Sequence, residues 1–150
     1  MKKKLHVEIF INASPEKVWD TMLSDKTYRE WTTAFHPGSR FEGSWEQGSK
    51  MLFVGPGENG EDMGMVSRIA ESRKPEFVSI EHIGIYSNGV EDTTSEEARK
   101  WSPAFENYTF TEKDGGTELS IDMDITEEEH DMFKEMWGRA LQSLKEIAER

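Results

Sequence analysis

The chain of 150 residues has no cysteine, far fewer basic than acidic residues and no long apolar run, and each shortage removes a class of function. Without cysteine there are no disulfides, thiolate nucleophiles or thiolate metal ligands; this fits a reducing compartment, and the expected location is cytoplasmic. The 18 Lys and Arg stand against 30 Asp and Glu, and the resulting net charge of −12 repels phosphate backbones and anionic lipid heads. No nucleic acid and no membrane partner is therefore expected. The acidic residues are spread along the chain, which reads as a solvated, self-repelling surface. No stretch approaches the roughly 18 apolar residues that a membrane-spanning helix needs. Lys2 to Lys4 could open a signal peptide, but Leu5 to Ile11 alternates with His6, Glu8 and Phe10 instead of forming an apolar block, so it reads as a strand.

Catalytic signatures are missing as well. There is no Gly-x-Ser-x-Gly elbow, and Gly55-Pro56-Gly57-Glu58-Asn59-Gly60 has no lysine and leads into a strand, so it reads as a hairpin loop rather than a phosphate cradle. His6, His36, His82 and His130 include no pair at a recognised metal-ligand spacing. Glu127 and His130 form one Glu-x-x-His, but a di-iron bundle needs a second copy on another helix. No metal and no cofactor is expected.

What is present is a strand running into a capped helix. Leu5, Val7, Ile9 and Ile11 share one strand face; Ser14 then suits an N-cap and Pro15 the first helical position. Val18, Trp19, Met22 and Leu23 recur at helical spacing, and a second short helix or turn is expected over about Lys26 to Trp31. Strands follow at Arg40 to Trp45, Lys50 to Val54, Asp62 to Ser72, Glu76 to Tyr86, Ala104 to Thr111 and Thr117 to Ile125, separated by turn residues such as Asp114-Gly115-Gly116. Ser87 to Ser102 is polar, carries a lone Trp101 and reads as a mobile loop. Thr126 and Glu129 have capping-box spacing, opening a terminal helix with Phe133, Met136, Trp137, Ala140, Leu141, Leu144, Ile147 and Ala148 on one stripe. A seven-stranded antiparallel sheet must cover its apolar face, and this helix is the long amphipathic partner available. The expected fold is α+β, one domain over residues 1–150, with the sheet wrapped around the C-terminal helix.

The order of strand, Ala13-Ser14-Pro15-Glu16-Lys17-Val18-Trp19 helix, Tyr28-Arg29-Glu30-Trp31, strand meander, Gly115-Gly116-Thr117-Glu118-Leu119 and closing Trp137-x3-Leu141-x2-Leu144 helix resembles the START-like, or SRPBCC, superfamily. Within it the chain resembles the branch named for the activator of heat-shock-protein ATPase. The resemblance implies a helix-grip fold with a cavity between sheet and helix, closed by two short helices. It implies a ligand-binding scaffold more than a particular chemistry, because the motif residues serve turn, cap and core roles.

The candidate ligand-binding residues are Trp31, Phe53, His82, Tyr86, Trp101, Tyr108, Phe133, Met136 and Trp137. Aromatics supply apolar wall, and Tyr86, Trp101 and Tyr108 add polar tips that need partners when buried. Counting by twos from Val78 and Ile80 brings His82, Gly84 and Tyr86 to one face, although Ile83 and Ile85 argue for the other and a bulge near Gly84 would reverse the assignment. For His82 a structural role at the cavity rim, a ligand contact and acid–base chemistry all stay open. The expected partner is a small apolar molecule, lipid-like or aromatic, bound by a monomer or weak homodimer. A co-chaperone-like interaction module and a cyclase or hydratase using His82 or Tyr108 are the alternatives.

Overall fold

Strand β1 (Lys2–Ile11) leads through Ser14 into helix α1 (Pro15–Leu23), and the Ser14 side chain accepts the Lys17 backbone N–H at 3.2 Å while Pro15 occupies the first turn. Helix α2 (Asp25–Trp31) follows after one residue and ends in a short 3-10 turn (Thr32–Ala34). Trp31 buries its ring and donates its indole N–H to the Met22 carbonyl at 2.9 Å, which fixes α2 against α1. The computed structural model describes residues 2–57, 59–101 and 104–150, without the side chains of Lys2 and Trp101.

The sheet continues with β2 (Arg40–Gly43), β3 (Lys50–Pro56), β4 (Asp62–Arg73), β5 (Phe77–Ser87), β6 (Val90–Asp92), β7 (Ala104–Lys113) and β8 (Gly116–Thr126). Its order is β1-β8-β7-β5-β4-β3-β2, all antiparallel, with β6 paired to β5 off this path. The β7–β8 connection is a two-residue hairpin in which Asp114 and Gly115 take φ of 51° and 80°, as the strand twist requires. The seven strands expected from alternation are joined by β6, the eighth, and by helix α3 (Glu96–Trp101). Both lie in the segment read as a mobile loop. Asp92 accepts the backbone N–H groups of Thr94 and Ser95, and Ala98 is fully buried, so these residues have local partners that their polar composition hides.

Helix α4 (His130–Ala148) lies in the grip of the sheet and buries Trp137, Ala140, Leu141, Leu144 and Ala148, with Phe133, Met136 and Ile147 half-buried. It starts later than the capping-box reading expects. Thr126 is the last residue of β8, and its hydroxyl donates to the Glu129 carboxylate at 2.9 Å instead of accepting a helix N–H. The core under α4 and α1 is built from Leu5, Ile11, Ile69, Val78, Ile80, Leu119 and Ile121. Burying aliphatic side chains of this kind stabilises the fold by about 1.5–3 kcal/mol each.

A bulge decides what faces the interior. Val66 pairs with Gly84 and Ser67 with His82, which leaves Ile83 as the extra residue on β5. His82 consequently stays in phase with buried Val78 and Ile80, while Gly84 turns to the other side. A Cβ on Gly84 would lie 2.4 Å from the Asp92 carbonyl oxygen.

Candidate functional site

Between the sheet, α4 and the α2 region lies a cavity of about 400 Å³. Its walls are aromatic. Tyr28 meets Trp31 and Phe41 edge-on with ring centroids 5.4 and 5.0 Å apart, and Trp137 contacts Trp31 at 5.9 Å, Phe35 at 4.9 Å and Tyr108 at 5.9 Å. Phe53 stands edge-on to His82 at 6.0 Å. Edge-to-face packing of this kind aligns positive ring edges with negative ring faces, so the wall holds its shape without a ligand. The rim, where solvent enters, is formed by His36 and Ser39 after α2 and by Gly55, Pro56 and Met63 at the β3–β4 end.

The floor is polar. The Ser67 hydroxyl and His82 Nδ1 are 2.7 Å apart, His82 Nε2 and Glu106 Oε1 are 3.1 Å apart, and the Tyr108 hydroxyl donates to Glu106 Oε2. Ser67 is fully buried and has no other acceptor among the described residues, so the arrangement that satisfies every group has its O–H donating to Nδ1. The ring then donates through Nε2 to the Glu106 carboxylate. The chain superficially matches a serine, histidine and acid triad. Ser67, however, lines neither this cavity nor its neighbour, so no substrate reaches it as a nucleophile.

Burial raises the Tyr108 phenol well above its ordinary pKa, and the adjoining Glu106 charge adds to the effect. Tyr28 is raised by the same two causes in the same order. Both phenols therefore stay protonated at neutral pH. Tyr28 lines the cavity, and its hydroxyl has no hydrogen-bond partner among the described residues. A second cavity of about 260 Å³ adjoins the first and shares Met65, His82, Glu106, Met123 and Phe133 with it. Asp124, Thr126 and Glu129 line its far side. Among the described residues no cluster of His, Asp and Glu is placed to hold a metal ion.

Of the residues expected at the site, Trp31, Phe53, His82, Tyr108, Phe133 and Trp137 line the larger cavity. Tyr86 and Met136 line neither chamber. The bulge at Ile83 puts Tyr86 out of phase with His82, opposite Gly64 on β4 and Glu91 on β6. Met136 is half-buried on α4 beside Trp137 but off the cavity side. The Trp101 side chain lies outside the described residues. Glu106, Tyr28, Phe35, Met65 and Met123 also line the cavity and were not among the candidate residues. Glu106 carried one usable signal, since it shares the inward parity of Ala104, Tyr108 and Phe110.

A curved antiparallel sheet gripping a C-terminal helix, with an aromatic cavity between them, defines the class: a helix-grip protein of the SRPBCC type. Residues 12–149 match the family model described as activator of Hsp90 ATPase homolog 1-like protein, and the chain belongs to that family. A Rhizobium leguminosarum protein superposes with a TM-score of 0.74 at 12% identity, covering 100% of this chain and 96% of its own. A Cytophaga hutchinsonii protein gives 0.72 at 20% identity, covering 97% and 92%. The Aha1 dimer of Colwellia psychrerythraea gives 0.71 at 17% identity, covering 98% and 96%. At these identities the likeness concerns the fold. No curated protein sequence matches the chain. Among the described residues no helix is long and apolar enough to cross a membrane.

Proposed function

We propose that the protein binds a small, largely apolar molecule in the cavity between the sheet and α4. The observation that carries this reading is a space of about 400 Å³, within the range of small-molecule sites, walled by aromatic rings and floored by one hydrogen-bonded polar cluster. Apolar walls supply affinity through the area removed from water, and convergent polar groups set orientation. The reading as an acid–base enzyme has less support. Both His82 ring nitrogens are engaged by Ser67 and Glu106, and burial holds the Tyr108 phenol protonated.

Binding of a neutral apolar dye such as Nile red tests the proposal, with Met65→Trp as the variant that fills the wall shared by the two chambers. The native chain is expected to bind the dye at one saturable site, and the variant to lose about tenfold or more in affinity while keeping its fold. Equal dye binding by both proteins would overturn the assignment to this cavity.

A further inference from the structure

The chemistry of the cavity floor restricts what the ligand can be. Glu106 presents a carboxylate to both chambers, and its described partners are two hydrogen-bond donors, the His82 ring N–H and the Tyr108 hydroxyl, rather than a lysine or arginine. Among the described residues no lysine or arginine lines either chamber, whereas Asp124 and Glu129 add carboxylates to the second. Lys4 pairs with Asp124 from an exposed position, outside the lining. Tyr28, nine-tenths buried, lines the same space within reach of the Glu106 charge, and its hydroxyl has no hydrogen-bond partner among the described residues. A polar group that filled this gap would meet a carboxylate and two phenolic oxygens, with the faces and edges of Trp31 and Trp137 around it.

We propose that the cavity selects organic amines, taking a ring-bearing apolar body against the aromatic wall and seating its protonated nitrogen on Glu106 between Tyr28 and Tyr108. The inference rests on the reading that the cavity holds a small molecule, and it names that molecule's chemical class. An ammonium group supplies the missing counter-charge in a low-dielectric site, where a charge-assisted hydrogen bond is stronger than in water. Neighbouring rings add cation–π attraction. A carboxylated ligand meets Glu106 as a like charge, with no lysine or arginine among the described lining residues to offset it, so it is rejected. The net charge of −12 acts in the same direction at longer range by drawing cations to the molecule.

The test is calorimetric titration at neutral pH with three probes of one skeleton: naphthylethylamine, naphthylethanol and naphthylpropionic acid. The amine is expected to bind about tenfold to a hundredfold more tightly than the alcohol, and the acid more weakly than either. Glu106→Gln should bring amine binding down to the level of the alcohol, with the melting temperature of the variant read alongside as the check on its fold. Tyr28→Phe should reduce the lead several-fold with the carboxylate retained. If the alcohol or the acid binds the native protein as tightly as the amine, the amine inference is overturned while apolar ligand binding stands. If none of the three binds, both fall.

Discussion

His82 Nε2 donates to Glu106 Oε1 at 3.1 Å across strands β5 and β7, and this bond joins a fully buried serine on one side to a cavity-facing carboxylate on the other. It makes the polar floor a continuous unit. Ser67 orients the imidazole, the imidazole orients Glu106, and Tyr108 fixes the second carboxylate oxygen.

Breaking that unit has a measurable cost. His82→Ala leaves the buried Ser67 hydroxyl without an acceptor and removes one donor from Glu106, and unfolding in urea should show a loss of about 1–3 kcal/mol. His36→Ala, at the exposed rim, should change stability by about 0.5 kcal/mol or less. Equal effects of the two substitutions would contradict the structural role given to His82.

Gly84 controls how β6 docks. An added Cβ would meet the Asp92 carbonyl oxygen at 2.4 Å and the Thr93 side chain at 2.7 Å, so Gly84→Ala must push β6 off β5. Amide exchange at residues 90–92 should accelerate, with an overall destabilisation of about 1–3 kcal/mol. Unchanged exchange in this segment would rule out the close approach.

The sheet's outer face carries a pH-dependent contact. His6 Nδ1 lies 2.6 Å from Asp122 and Nε2 lies 3.3 Å from Glu8, and hydrogen bonding to Asp122, then to Glu8, raises the imidazole above its ordinary 6.5. Because the folded-state value exceeds the unfolded one, the contact stabilises the protein fully below the unfolded pKa, and the contribution is lost as pH rises through the raised value. The pair is solvent-exposed, so the effect on stability is small and sensitive to salt. An NMR titration of the His6 ring should place its midpoint above 6.5, and Asp122→Asn should bring it down. A midpoint unaffected by Asp122→Asn would refute the pairing.

The parts of the fold that were legible in the sequence depend on local chemistry. Ser14 and Pro15 define the start of α1, Asp114-Gly115 defines a hairpin, and the stripe from Trp137 to Ala148 defines the buried side of α4, because cap, turn and helical spacing act within a few residues. The site depends on strand pairing. Counting in twos puts Tyr86 on the His82 face; Ile83, Ile85 and Gly84 hint at a bulge, but only pairing with β4 fixes Ile83 as the extra residue and turns Tyr86 away. Glu106 stands between Phe105 and Asn107 and looks like a surface charge until His82 and Tyr108 are seen to surround it. Met65 and Met123 belong to the cavity wall by tertiary placement, which methionine's adaptability does not specify.

Ligand binding in the cavity is tested most directly by native mass spectrometry of gently purified protein, followed by denaturation and identification of any compound released. One apolar compound per chain is expected, retained by the native protein and lost from Met65→Trp. Unliganded protein alone, both as purified and after incubation with neutral, cationic and anionic apolar compounds, would contradict it.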